Sequence, residues 1–127
     1  MPRPAGCDPI RPGVIDHEEI LRKLSICDCG LVDALVADAR ARLAVSGLDP
    51  RTFALVQVGA LVAVDAAPPS YLDAIETARD AGAGDDEIVG ALVAAIPAVG
   101  QSRAVSAAPK LALALGYDVG LALEERS

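Results

Sequence analysis

The sequence predicts an all-α protein, a single-domain helical bundle of about six helices. Three observations carry that prediction. Apolar residues recur at helical spacing in successive segments, each bounded by capping or breaking residues. Two segments, Pro50 to Asp65 and Ile88 to Val99, are apolar nearly all round, as helices buried by their neighbours are. No alternation of polar and apolar residues runs long enough to suggest a strand.

Residues 1–15 hold Pro2, Pro4, Pro9 and Pro12 with Gly6 and Gly13, and read as an arm that regular structure cannot occupy. Asp16 opens the domain proper, 16–127, as the cap of a first helix, with Glu19 three residues on as the reciprocal member of a capping box. Ile20, Leu21 and Leu24 give that helix an apolar face. The Cys27 to Gly30 region breaks it. Leu31, Leu35, Ala39 and Leu43 then carry one helical face from 31 to 46, and Gly47 is placed as its stop.

Asp49 and Pro50 form a strong helix start, a capping carboxylate followed by proline at the first helical position. After them only Arg51, Thr52 and Gln57 are strongly polar before Asp65. This is the expected central helix. Residues 66–69 read as a short connection, and the segment from Ser70 or Tyr71 to Ala81 is amphipathic, closed by Gly82. Asp85, Asp86 and Glu87 put negative charge at the positive end of the next helix. Pro97 is expected to kink or end that helix. Pro109 is expected to kink or divide the last one, Gln101 to Leu115. A short helical turn over 119–125 would close the chain.

At 127 residues the chain is one domain long, a size that buries roughly two-thirds of its unfolded surface. Its residues are 53% hydrophobic but only 2% aromatic, so the core must be built from Ala, Val, Leu and Ile. Helices so widely apolar are hard to cover within one small chain, which points to self-association. The net charge of -7 argues against nucleic acid, whose binding depends on cations neutralising phosphates. The start of the chain does not resemble a secretory signal, and no apolar run is long enough to span a bilayer, so a cytoplasmic protein is expected.

Cys7, Cys27 and Cys29 make an odd count, read as thiols in a reducing compartment. Cys27 and Cys29 read as small buried or half-buried thiols at a helix junction, and they are a weak metal signal without further ligands. As a redox pair they would close a strained ring. No metal site and no cofactor are expected.

The order of pieces carries a further message. Leu48-Asp49-Pro50-Arg51-Thr52 leads into an apolar helix, a shorter helix ends Ala81-Gly82-Ala83, and Asp85-Asp86-Glu87-Ile88-Val89 opens the next. Gly100-Gln101-Ser102-Arg103-Ala104-Val105-Ser106-Ala107 completes the succession. Over residues 48–115 this resembles the carboxymuconolactone decarboxylase family, which includes the alkyl hydroperoxide reductase D-like proteins. The resemblance implies an all-helical fold that assembles into trimers or hexamers, with an active site beside the central helix. It also implies, for the thiol-redox members, a C-x-x-C pair with a nearby His after the long helix and a glutamate within that helix.

This sequence departs from the pattern at those positions. Counted from Asp49, the cysteines and His would fall on Ala66, Pro69 and Leu72, and the glutamate on Ala54. Counted back from Gly82, the trio falls on Pro68, Tyr71 and Ala74. Neither register supplies a thiol or an imidazole, so thiol-peroxidase chemistry at the usual site is not expected.

The resemblance also admits a cofactor-free decarboxylase or isomerase acting on a small carboxylated lactone. The candidate side chains for it are Tyr71, Arg103 and His17, the one histidine of the chain. Gln57, Tyr71 and Arg103 are the candidate ligand contacts, for a small organic acid. Each has a structural alternative: Gln57 as a buried hydrogen-bonder, Tyr71 as packing at a helix start, Arg103 in a subunit salt bridge and His17 solvated in a first turn. Ser106 reads as a small packing residue.

Overall fold

The computed structural model describes residues 16–117, and every regular element among them is an α-helix. The order is α1 (His17–Ser25), α2 (Cys29–Ala37), α3 (Ala39–Ser46), α4 (Pro50–Ala63), α5 (Pro68–Asp80), α6 (Asp85–Val99) and α7 (Gln101–Leu115). The expected turn over 119–125 lies outside the described residues. Among the described residues no helix is long and apolar enough to cross a membrane.

The chain groups into two compact units, divided between Asp49 and Pro50. In the first, α2 packs against α1 and α3. Asp16 caps α1 as expected, its Oδ1 accepting the Glu19 N–H at 2.8 Å. Glu19 does not reciprocate. Its carboxylate instead takes Arg22 at 2.6 Å, because an ion pair one turn along the helix competes for the same oxygens.

The single helix expected over 31–46 is two helices. Asp38 adopts an extended conformation between them, ends α2 and turns its Oδ1 onto the Arg40 N–H at 2.9 Å, so that it caps α3. Arg42 reaches back to the Leu35 and Val36 carbonyls at 2.9 and 3.0 Å, satisfying acceptors left open where α2 stops. The helical spacing of apolar residues passes straight through this break, which is why periodicity alone misses it. Gly47 ends α3 in the left-handed conformation, φ 68°, as expected.

In the second unit α4 packs against α5, α6 and α7, most extensively against α6, and α7 also packs on α5 and α6. Ala54, Val58 and Val62 of α4 meet Tyr71, Ile75 and Ala78 of α5, Ile88 and Leu92 of α6, and Ala107, Leu111 and Leu115 of α7 in one core. The burial is one-sided. Val56 of α4 is exposed, and so are Val89, Val93 and Ile96 of α6, so within this chain the two widely apolar helices keep an uncovered face. The neighbouring helices thus cover one side of each, and the other side is left bare in the single chain.

Proline positions refine two boundaries. Pro68 and Pro69 lie inside the first turn of α5, where a missing N–H is harmless, so α5 starts earlier than its amphipathic pattern suggests. Pro97 lies in the last turn of α6. Pro109 sits within α7 without dividing it, since flanking contacts of Ala107 and Leu111 hold both halves to the core.

At the far end of α5, Arg79 forks onto Asp85 (Nε to Oδ1 3.0 Å, Nη2 to Oδ2 3.1 Å) and also donates to the Leu115 carbonyl at 3.0 Å. Tyr117 donates to the same carboxylate at 3.1 Å. These bonds tie the end of α5 to the start of α6 and the end of α7.

Gly100 separates α6 from α7 with φ 87° and ψ 163°, a region open in practice to glycine alone. Gly90 lies inside α6 with open space where a Cβ would stand. Urea unfolding should therefore separate two glycine substitutions of opposite sign: Gly100→Ala lowers stability by about 1–3 kcal/mol, whereas Gly90→Ala raises it by about 0.5–1 kcal/mol.

Candidate functional site

The connection between α4 and α5 gathers the polar chemistry of the second unit. α4 ends at Ala63, and its last carbonyls, like those of any helix, lack partners within the helix. Three residues of α7 serve that end. Arg103 Nη1 donates to the Ala63 carbonyl. Lys110 Nζ donates to the Ala66 carbonyl at 3.0 Å and to Asp65 Oδ1 at 3.0 Å. Ser106 Oγ donates to the same Asp65 oxygen at 2.8 Å. Positions 103, 106 and 110 share one face of a helix, spaced i, i+3 and i+7, and present a polar stripe beside the buried Ala107 and Leu111.

Asp65 itself is in the left-handed region, φ 52°. Asp tolerates that conformation better than most residues, but it still favours other conformations when unconstrained. The bonds from Ser106 and Lys110, with the charge of Lys110 and then of Arg103, hold its carboxyl below the usual carboxylate range.

Tyr71, in the first turns of α5, is fully buried. Its hydroxyl has no hydrogen-bond partner among the described residues. Such a group carries a desolvation penalty of about 1–3 kcal/mol. Burial pushes the phenol upward in pKa, and the nearby negative charge of Asp65 pushes it further the same way. The hydroxyl is therefore a neutral donor and acceptor throughout the neutral range.

The structure thus brings together two of the four sequence candidates, Tyr71 and Arg103, around a residue that the sequence does not single out, Asp65. Among the described residues Arg103 makes no short-range salt bridge; its contact is the end of α4, and four guanidinium donors remain beyond that bond. Gln57 is half-buried on α4, six residues and about 9 Å along the helix from Ala63. It belongs to a different part of the helix. His17 is exposed in the first turn of α1, in the first unit. Ser106, expected to be a packing residue, is a hydrogen-bond donor to Asp65. Sequence reasoning misses Lys110, although its spacing from Arg103 and Ser106 is a visible signal.

The cysteines also need correction. Cys29 is disulfide-bonded, whereas Cys27 is a free, exposed thiol with φ 55°. The two are therefore not joined to each other, in keeping with the strain of so short a ring, and the expectation that both are buried or half-buried thiols does not hold. Among the described residues no group of three His, Cys, Asp or Glu side chains is placed to hold a metal ion.

The fold and site define an all-helical protein with a charged cluster at the end of its central helix, the charge of Asp65 being felt by a buried phenol that has no partner among the described residues. The model of the carboxymuconolactone decarboxylase family matches residues 31–113, from α2 into the last turn of α7, and the chain belongs to that family. The match begins earlier than the stretch that carried the resemblance, 48–115, and takes in α2 and α3. No curated protein and no solved structure matches the chain. Within 31–113 there is neither cysteine nor histidine. The positions where a redox trio would fall hold Ala66, Pro69 and Leu72, or Pro68, Tyr71 and Ala74, and Ala54 is an apolar core residue.

Two measurements follow from this geometry. Because the folded Asp65 carboxyl is held below its unfolded value of about 3.9, its contribution to stability is present above that value and lost as pH falls through the folded one. Wild type should be more stable than Asp65→Asn at pH 7, and urea midpoints of the two should converge as the pH is lowered toward about 3. Tyr71→Phe should raise stability by about 1 kcal/mol, since it deletes a buried hydroxyl that has no partner.

Proposed function

We propose that this family member is a homo-oligomeric protein without thiol-peroxidase chemistry that binds a small organic acid at the α4–α5 connection. The buried, unpartnered hydroxyl of Tyr71 beside the Asp65, Ser106, Lys110 and Arg103 cluster supports the reading most directly. Satisfied core residues do not keep such a hydroxyl; a ligand atom that accepts from it would remove the penalty of its burial. Arg103 retains free donors with the fork geometry that suits a carboxylate. Sequence supports the loss of redox chemistry, since no side chain in the matched region can carry the electrons.

Self-association is supported by the uncovered apolar faces of α4 and α6, where Val56, Val89, Val93 and Ile96 meet solvent in the single chain. A trimer or hexamer would cover them. A monomer by light scattering at micromolar concentration would overturn this part of the reading.

A second reading makes the same site catalytic: a cofactor-free decarboxylase or isomerase acting on a small carboxylated lactone. Arg103 would grip the carboxylate, and Tyr71, or His17 of the partner subunit, would transfer a proton. Tyr71 holds a proton to give at neutral pH, although its upward shift makes it a weaker acid than an ordinary phenol.

The test is a panel of mono- and dicarboxylic acids and lactone acids, assayed for binding by calorimetry and for turnover by loss of substrate. Binding should weaken about tenfold or more in Tyr71→Phe and in Arg103→Ala, the scale of one lost charge-assisted or buried hydrogen bond. Binding that is unchanged in both variants overturns the site. Turnover that survives both unchanged overturns the catalytic reading.

A further inference from the structure

The cluster at the end of α4 has an internal anion. Ser106 Oγ and Lys110 Nζ approach a single oxygen, Oδ1 of Asp65, at 2.8 and 3.0 Å. An oxyanion receiving a hydroxyl donor and an ammonium at these distances is arranged as a bound carboxylate would be. Here the carboxylate is supplied by the chain. We propose that Asp65 occupies the anion seat of this site, so that a small carboxylate from solution binds there by displacing the Asp65 side chain. The proposal rests on the ligand-site reading above and adds the device that regulates access to it.

Three features support displacement over a permanent ion pair. The cations do not depend on Asp65 for their positions: Lys110 is also anchored on the Ala66 carbonyl at 3.0 Å, and Arg103 on the Ala63 carbonyl. Both stay placed when the carboxylate leaves. Asp65 is the movable member, with a side chain 48% exposed and a backbone in the left-handed region. An ion pair so exposed gains little from its own attraction, so a competing anion need not overcome much.

The buried phenol supplies the direction of the exchange. Tyr71 OH is left unpartnered while Asp65 occupies the seat, although it lies near enough to feel the Asp65 charge. An external acid that fills the seat and also reaches Tyr71 makes one more hydrogen bond than Asp65 makes. Acids too small to reach Tyr71 replace Asp65 with no such gain. The device therefore selects for reach, by setting an internal competitor that only a bidentate ligand outdoes.

The experiment measures binding of acetate, succinate and acetamide to the full chain by NMR titration, in wild type and Asp65→Asn. Asn tolerates the left-handed conformation and keeps the side-chain shape. If Asp65→Asn unfolds, Asp65→Gly takes its place, since glycine enters that conformation freely. Asp65→Asn should bind acetate and succinate at least about tenfold more tightly than wild type, bind acetamide no more tightly, and lose the gain when Lys110→Met is added. Equal acetate affinity in wild type and Asp65→Asn overturns the proposal. So does a gain that survives Lys110→Met, since the net charge is then back at its wild-type value and no ammonium is left in the seat to hold the acetate. If Asp65→Asn brings no gain while wild-type succinate binding still falls in Tyr71→Phe, the internal competitor is wrong and the ligand site stands. If neither protein binds any carboxylate, both fail.

Discussion

The second unit depends on how the C-terminal end of α4 is closed. A helix that stops inside a bundle leaves carbonyls that water does not reach freely, and each needs a donor. Val64, Asp65 and Ala66 give their own N–H groups to the Ala60, Val62 and Leu61 carbonyls, and α7 supplies the donor for the last one, Ala63. Arg103 and Lys110 take the Ala63 and Ala66 carbonyls, while Ser106 and Lys110 hold Asp65 in its left-handed turn. The closure fixes the turn into α5, and with it the position of Tyr71. Positive charge at a helix C-terminus is favourable in its own right, so the same groups that satisfy the backbone also complement the α4 dipole.

This closure joins structure to chemistry. The resemblance to the thiol-redox members of the family implies thiols and an imidazole in the stretch after the long helix, groups that react. Here it carries prolines, alanines and one phenol, and the charged groups reach it from a different helix. The polarity at the α4–α5 connection is delivered largely by α7. A carboxylate, two cations, a hydroxyl and a neutral phenol are suited to holding an anion and moving a proton, and they have no means of exchanging electrons.

At the other end of α5 the Arg79, Asp85 and Tyr117 bonds do comparable structural work with every group engaged. The contrast is informative. Both ends of α5 are tied by ionic hydrogen bonds, but at the Asp65 end a buried hydroxyl stays unpartnered. Packing needs alone account for the first. They leave the second unexplained, which is why the ligand reading attaches there.

The sequence by itself determined the all-helical class, most helix boundaries and the family. Those follow from local properties: apolar spacing, caps such as Asp16, stops such as Gly47, and the order of motifs from Leu48 to Ala107. It also determined the absence of thiols and imidazole from the matched region, since that is a matter of residue identity. It did not reveal the break at Asp38, because a cap whose flanking residues keep helical periodicity is silent in the pattern. Only the tertiary structure decided that Asp65 is the centre of the polar cluster and that Lys110 belongs to it. Those partners lie 41 and 45 positions apart in the chain. Local spacing places Arg103, Ser106 and Lys110 on one face of α7, but what that face meets is set by how α7 packs on α4 and α5, and no periodicity encodes it.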